Sequence, residues 1–362
     1  MGIFNRLFKT KAKTDFSGGL IPLNSQNMTF SEWLDHQEGR RNDAEYSAQD
    51  GILNGYAKNP LVNQVINKIA QTIGGLPLKY GNTQEEQFIG KPNSLDFKSE
   101  FFEKIAISLL ATGNAFIYSE DYISGIPSEA EVLRTQDLSP DFDINSVPYS
   151  FHYERGQGVE VTILPNELIH IKLPNLIDNG ENSFWGVSPI RALKSVYDTS
   201  NDIFEAQSHI FKNKGVTGVI SSGDAMLPLT PQQREDLDRT YKNRLGGADK
   251  YNSIKTVEAP VQYTQIGESP KDLLMGETTK DFLRIICSSF GVDSALFNDP
   301  DNKTYSNREE AKKDYYNDVV MPLMNKILEA INYSYGMKIE VDVAGIENLN
   351  PNENENGIQS EE

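Results

Sequence analysis

The side chains best equipped for chemistry are few: four histidines (His36, His152, His170, His209), one cysteine (Cys287), and the acidic pairs Asp299/Asp301 and Glu309/Glu310. No two histidines have the spacing of a metal-binding helix pair. A single cysteine excludes an intrachain disulfide and a cysteine-based zinc site. His170 sits in the apolar run from Glu167 to Leu173 without a serine or aspartate in motif context, so it reads as a packed strand histidine rather than a general base. His209 reads as a buried polar contact or an interface residue, and Cys287, in an apolar helical stretch, as an inert thiol. The acidic pairs carry the oxygens a hard cation wants. Their spacing matches no calcium loop, however, and Lys303 places a positive charge where another ligand is needed. A solvated loop and a capped helix start account for them.

Phosphate-cradling and catalytic motifs are absent. Gly90-Lys91 is followed by Pro92, which rules out a P-loop, and G-x-G-x-x-G, H-E-x-x-H and a complete G-x-S-x-G do not occur. Gly186-Val187-Ser188-Pro189 begins like a nucleophile elbow, but proline after the serine marks a helix cap instead. The residues therefore point to a protein that is not an enzyme, with no cofactor and no metal.

The chain has 362 residues, 52 acidic against 34 basic, and a formal charge of −18. That length sets a prior of two or three domains, and 16 Tyr with 17 Phe argue against global disorder. The acidic balance excludes a protein that grips nucleic acid through a basic face, but not one that sits beside DNA without adhering to it. No apolar run approaches the roughly 18 residues that cross a bilayer. Met1-Gly2 is not followed by Ser or Thr at position 6, which is Arg6, so a myristoylation signal is missing. The composition is that of a soluble, reduced, intracellular chain.

The elements that must position these residues read as α+β. Residues 1–45 form a flexible N-terminal arm that opens on a short basic amphipathic stretch, Ile3 to Phe8. Leu61, Val65, Ile69 and Ile73 mark a helix that ends at Gly74-Gly75. Leu76 to Tyr80 reads as a strand, Phe101 to Leu110 as a helix stopping at Gly113-Asn114, and Ala115 to Tyr118 as the next strand. Further strands are expected near 131–134, 149–153, 159–164 and 167–173.

Ser188-Pro189 then opens a helix of about 25 residues, or roughly 37 Å, to Lys214-Gly215. Ser200 and Asn201 interrupt its apolar stripe. Strands are expected at Val216–Ser221, Ser253–Glu258 and Val261–Ile266, with a short helix from Thr230-Pro231 to Gly246-Gly247. Ser269-Pro270 repeats the Ser-Pro start for a helix ending at Gly291. Two helices thus bracket a small α/β insert and return the chain to where it left. A polar loop follows, and Ser306-Asn307-Arg308-Glu309 has the form of a capping box. The helix it opens carries Ala311, Tyr315, Val319, Leu323, Ile327 and Ile331 on one face, and Pro322 should kink it. Met337 to Val343 is the last strand expected. From Ile339 on there are seven acidic residues and no basic one, a tail expected to be disordered over 347–362.

Asn182-Ser183-Phe184-Trp185-Gly186-Val187-Ser188-Pro189-Ile190 resembles the aromatic-Gly-x-Ser-Pro signature of tailed-phage portal proteins. Phe211-Lys212-Asn213-Lys214-Gly215 with Gly218-Val219-Ile220 is similar to a second family segment, though Lys214 replaces a more usual small residue. Phe290-Gly291-Val292, Leu296-Phe297, Thr304 through Glu310 and Met321-Pro322-Leu323 resemble a third. Asn59-Pro60-Leu61-Val62, Leu76-Pro77-Leu78 and Gly113-Asn114-Ala115-Phe116 are similar to its amino-terminal blocks. The likeness spans roughly residues 55 to 335.

The resemblance implies a homododecameric ring at one capsid vertex of the virion, assembled in the host cytoplasm. Double-stranded DNA would pass through its channel during packaging and ejection. The implied partners are the terminase large subunit, a head-tail adaptor, and the major capsid and scaffold proteins, with no membrane. By position, residues 46–186 would form a wing, 187–214 and 269–291 two stem helices, 215–268 a clip, 292–306 a tunnel loop, and 307–346 a kinked helix with a further piece of wing or a short crown. Interrupted stripes would suit stem helices facing a wet channel. The implied DNA-facing residues are Asn298, Asp299, Asp301, Asn302, Lys303 and Thr304, with Lys242 and Arg244 as a clip docking surface. Trp185, Gly186, Ser188, Pro189, Ser269, Pro270, Ser306 and Glu309 would be motif and capping residues. The alternatives are a non-portal virion adaptor or structural protein, which would lack bracketing stem helices, and a capsid-associated hydrolase.

Overall fold

The computed structural model describes residues 21–23, 26–28, 48–119, 125–156, 158–177, 180–212, 218–222, 230–232, 235, 261–265, 275–297, 299, 301 and 305–346. It divides into two units, Met1–Ser47 and Ala48–Glu362. In the first, β1 (Ile21–Leu23) pairs antiparallel with β2 (Gln26–Met28), a hairpin the sequence reading did not anticipate. The basic stretch at Ile3–Phe8 and the acidic tail lie outside the described residues.

The second unit is α+β. A helical turn at Ala48–Asp50 runs into π-helical turns at Gly51–Ala57, followed by α1 (Pro60–Gly75). Asn59 starts α1 because its side-chain oxygen accepts the orphan N–H groups of Leu61 and Val62, at 3.1 and 3.0 Å, and Pro60 needs no partner for a missing donor. After β3 (Leu78–Lys79) come α2 (Thr83–Gly90) and α3 (Lys98–Thr112). Val62, Val65, Ile66, Ile69, Ala70 and Ile73 on α1 pack against Phe101, Phe102, Ile105, Ala106 and Leu109 on α3, all essentially inaccessible to water. Each fully buried large side chain here contributes about 1.5–3 kcal/mol, so this pair of helices anchors the unit.

Two small antiparallel sheets follow. In the first, β4 (Asn114–Tyr118) lies between β5 (Glu131–Leu133) and β9 (Leu168–Lys172); in the second, β7 (Pro148–Glu154) lies between β6 (Leu138–Phe142) and β8 (Glu160–Ile163). Helix α2 and strand β6 escaped the sequence reading, because Pro140 and Asp141 interrupt any strand pattern and α2 has a weak apolar face. Phe116, Tyr118, Leu133, Leu138, Phe151, Tyr153 and Ile163 form one core drawn from both sheets.

The expected 25-residue helix is instead two helices, α4 (Pro189–Ala192) and α5 (Lys194–Lys212). Leu193 makes a tight turn between them, its N–H bonding to Ile190 at 2.9 Å. Strands β10 (Gly218–Ser222) and β11 (Val261–Gln265) pair antiparallel, setting Gly218 opposite Gln265. That pairing closes the intervening stretch on itself. The strand expected at Ser253–Glu258 and most of the helix expected after Thr230 lie outside the described residues.

Helix α6 (Met275–Ser289) packs on α1 and α5. Beyond it, a 3-10 turn at Ser294–Phe297 precedes α7 (Tyr305–Asp314), π-helical turns at Tyr315–Val320, and α8 (Met321–Tyr335). The expected apolar face slips here. Tyr315 and Val320 are buried five residues apart, and Val319 is not fully covered, because the wide turn inserts one residue into the repeat. The same turn accommodates Pro322, which lacks the donor an α-helical carbonyl four residues back would need. Finally β12 (Glu340–Val341), shorter than the expected 337–343 strand, pairs with β3 and ties the end of α8's chain back to the start of the unit.

Candidate functional site

Gly113 ends α3 in the left-handed region, at φ +80°, and Asn114 begins β4. The stretch Gly186–Ser188 crosses this corner so closely that a Cβ on Gly113 would lie 2.6 Å from the Val187 carbonyl carbon, and one on Gly186 would fall on the Gly113 carbonyl oxygen. Only glycine fits on either side. The buried Asn114 side chain fastens the crossing. Its oxygen accepts the Gly186 N–H at 2.7 Å and faces His170 Nε2 at 3.0 Å, while its nitrogen donates to the carbonyls of Thr112 (2.9 Å) and Gly186 (3.2 Å). Because that oxygen only accepts, Nε2 is the protonated nitrogen of His170.

His170 stacks on Phe116 with ring centres 4.3 Å apart. Burial, aided by the nearby Lys172 charge, pushes its pKa down to about 3. It is a neutral packed histidine, as its strand setting implied. Ser188 caps α4, accepting the Ile190 N–H at 3.0 Å and donating to the Leu110 carbonyl at 2.6 Å, with Pro189 at the first helical position. Phe184 and Trp185 pack edge-to-face, 5.2 Å apart. Trp185 meets Phe116 of the first sheet and Phe184 meets Phe151 of the second. The Phe-Trp-Gly-x-Ser-Pro stretch is therefore the joint through which both sheets grip α4.

A second polar hub lies under α5. Asn59 Nδ2 donates to Tyr197 O (3.3 Å), Ser200 Oγ (2.5 Å) and Asn201 Oδ1 (3.0 Å). Ser200 and Asn201, the breaks in the helix's apolar stripe, are thus buried against the cap of α1 and do not face a wet channel. A buried polar residue with a partner interrupts a stripe as effectively as a solvated one. Beside it, Asp50 accepts from Tyr197 Oη at 2.5 Å and Lys194 Nζ at 3.1 Å. Burial opposes ionisation of Asp50, but hydrogen bonds from Tyr197, Asn54 and Lys194 outweigh it and hold the carboxyl below its ordinary pKa.

The loop after α6 is clasped by Arg284. Its Nε and Nη2 donate to both oxygens of Asp299, at 2.7 and 2.9 Å, and Nη2 also reaches Asp301 at 2.8 Å. Asp299 further accepts from Ser294 Oγ (3.0 Å) and the Asp301 N–H (3.2 Å). Hydrogen bonds from Arg284 hold its carboxyl well below the usual carboxylate range. Asp299 is buried, its side chain 2% exposed, so it does not belong to a solvated loop as expected. Asp301, at 59%, does remain exposed.

Lys242, Arg244, Ser269, Pro270, Asn298, Asn302, Lys303 and Thr304 lie outside the described residues. The backbone of α7 begins at Tyr305, one residue ahead of Ser306, and Glu309 faces Lys312 at 3.3 Å. Cys287 is buried, and burial pushes its thiol up to about 12. Ser150, His152 and Asp141 do converge, but both the hydroxyl and the imidazole address the same Asp141 oxygen at 2.7 Å, so the histidine activates no nucleophile. Among the described residues no three histidine, cysteine or acidic side chains gather as metal ligands, and no helix is long and apolar enough to cross a membrane. Sequence reasoning placed Asn59 and Asn114 in family blocks without giving them a role, and it missed Arg284. Asparagine just before a Pro-initiated helix was a legible signal for the first; nothing local marked Arg284.

Residues 60–360 match the family model described as phage portal protein. The chain is 23% identical over 306 residues to an uncharacterized protein of Rickettsia felis, covering 80% of this chain and 78% of that one. It is also 23% identical over 266 residues to the portal protein of Escherichia phage T5, covering 72% and 62%. Among solved structures, a chain from the neck of a native gene transfer agent particle with C12 symmetry superposes with a TM-score of 0.63 at 24% identity, covering 84% and 87%. An HK97-family phage portal protein from Corynebacterium diphtheriae superposes with a TM-score of 0.56 at 14% identity, covering 80% and 93%.

Proposed function

Since the chain belongs to the phage portal protein family, we propose that it assembles as a closed ring, most simply of twelve copies, at one vertex of a capsid. Double-stranded DNA would pass through that ring. The observation that carries this reading is the β10–β11 pairing. Helices α5 and α6 flank a stretch whose ends are zipped together at Gly218 and Gln265, as a stem-and-clip protomer requires. The comparison structure with C12 symmetry supports the ring, since a heterologous contact repeated with a closing rotation gives a cycle.

In this reading residues 46–186 are the wing, α4–α5 and α6 the stem, 215–268 the clip and 292–306 the tunnel loop. The clip, with Lys242 and Arg244, would receive the terminase during packaging and an adaptor afterwards. The ring works by position and electrostatics, not bond-making chemistry. Its −18 per copy repels phosphate wherever it faces the channel, which favours passage over adhesion. The test is electron microscopy of the purified protein, alone and with scaffold and capsid proteins. Rings with a central channel are expected. Monodisperse monomers under all these conditions would overturn the proposal.

A further inference from the structure

The Arg284 clasp has two unequal arms. The inner arm is a two-pronged pair between Arg284 and a carboxylate that is 2% exposed and also bound by Ser294 and a backbone N–H. The outer arm, to Asp301, is a single Nη2 contact at 2.8 Å, with Lys280 Nζ at 3.5 Å, and the Asp301 side chain is 59% exposed. Lys280 and Arg284 are one turn apart on α6, with side chains 41% and 39% exposed, so both remain within reach of an outside anion. Exposed ion pairs are weak, so the outer arm opens readily while the inner arm holds the loop in place.

We propose that Lys280 and Arg284 form a nucleic-acid phosphate contact which Asp301 occupies in the resting state. The aspartate supplies the charge and oxygen geometry of a phosphate, and a DNA backbone phosphate displaces it. Arg284 keeps its Nε and one Nη2 bond to Asp299 during the exchange, so the site is regenerated when the phosphate leaves. Such a contact is transient by construction, because the intramolecular aspartate always competes at high effective concentration. Asp281, 3.6 Å from Arg284 Nη1, adds a further negative charge that weakens phosphate retention. The inference rests on the DNA-conduit reading above and assigns it a contact residue by residue.

The experiment compares the full chain with Asp301→Asn, Lys280→Gln/Asp301→Asn and the distant exposed control Glu329→Gln. Binding of a 30-base-pair DNA duplex is measured by fluorescence anisotropy across a salt series, and ring formation is checked for each variant by electron microscopy. Asp301→Asn should tighten duplex binding about three- to tenfold and steepen its salt dependence by about one counterion per site. The lysine substitution should cancel that gain, and Glu329→Gln should change little. No gain in Asp301→Asn, or an equal gain in the Glu329→Gln control, overturns the masked contact. In intact rings either result leaves the portal reading standing, whereas loss of rings in the parent chain strikes that reading instead.

Discussion

Gly113 and Gly186 meet backbone to backbone, 73 positions apart in the chain, and the amide of Asn114 bonds both the N–H and the carbonyl of Gly186. The end of α3 and the lead-in to α4 are thereby locked as one corner. Leu173, just past the end of β9, closes it by donating its N–H to the Gly113 carbonyl at 2.9 Å.

A methyl group at this corner has nowhere to go, since its neighbours are backbone atoms that cannot rotate aside. Gly186→Ala should lower stability by more than about 3 kcal/mol, the upper range for overpacking. Urea denaturation of the variant measures it, and a change under about 1 kcal/mol would show that the corner is loose.

His170 gives the corner a pH dependence. Its folded pKa, about 3, lies below the ordinary histidine value of 6.5, so the unfolded chain takes up a proton that the folded chain refuses. Stability contributed by neutral His170 is therefore complete above about pH 6.5 and falls as pH drops toward 3, with a slope approaching about 1.4 kcal/mol per pH unit. Denaturation midpoints of wild type and His170→Gln, compared between pH 4 and 7, should converge at low pH. Parallel curves would contradict this.

Removing the clasp should free the loop without unfolding the helices. In Arg284→Gln, backbone amide hydrogen exchange over residues 294–305 is expected to rise at least about tenfold, because Asp299 loses both prongs. Arg284→Lys should recover little, since a single ammonium cannot span both oxygens. Unchanged exchange in Arg284→Gln would mean that Ser294 and the backbone hold the segment unaided.

Deleting residues 298–304 is expected to preserve rings but impair packaging or retention of DNA. Encapsidated DNA per particle is the readout, and normal filling would remove the role proposed for the tunnel loop.

Charge removal in the proposed clip, Lys242→Gln with Arg244→Gln, should weaken the proposed terminase docking while rings still form. A pull-down of terminase by preassembled rings tests this, and undiminished capture would move the docking surface elsewhere.

Much of this protein was legible from local chemistry. Apolar repeats with a terminal glycine marked α1 and α3, Ser-Pro marked the start of α4, and β4, β7, β8 and β9 fell within a residue or two of their expected places. Local signals suffice where one element's own cap and one buried face decide its length. They failed at Leu193 and at the π-helical turns of 315–320, where packing against other elements changes the backbone path without altering the residue pattern.

The sequence by itself determined the α+β class, the absence of catalytic motifs, the family likeness and the places of the elements with clear caps or apolar faces. What only the tertiary structure decided is the purpose of individual polar residues. Ser200 and Asn201 read only as breaks in an apolar stripe but are partners of Asn59, 141 and 142 positions away. Asp299 looked like solvated loop but is the buried half of an arginine pair. The physical reason is common to both. A polar side chain has the same identity whether water or a distant donor satisfies it, and only the fold brings that donor within 3 Å.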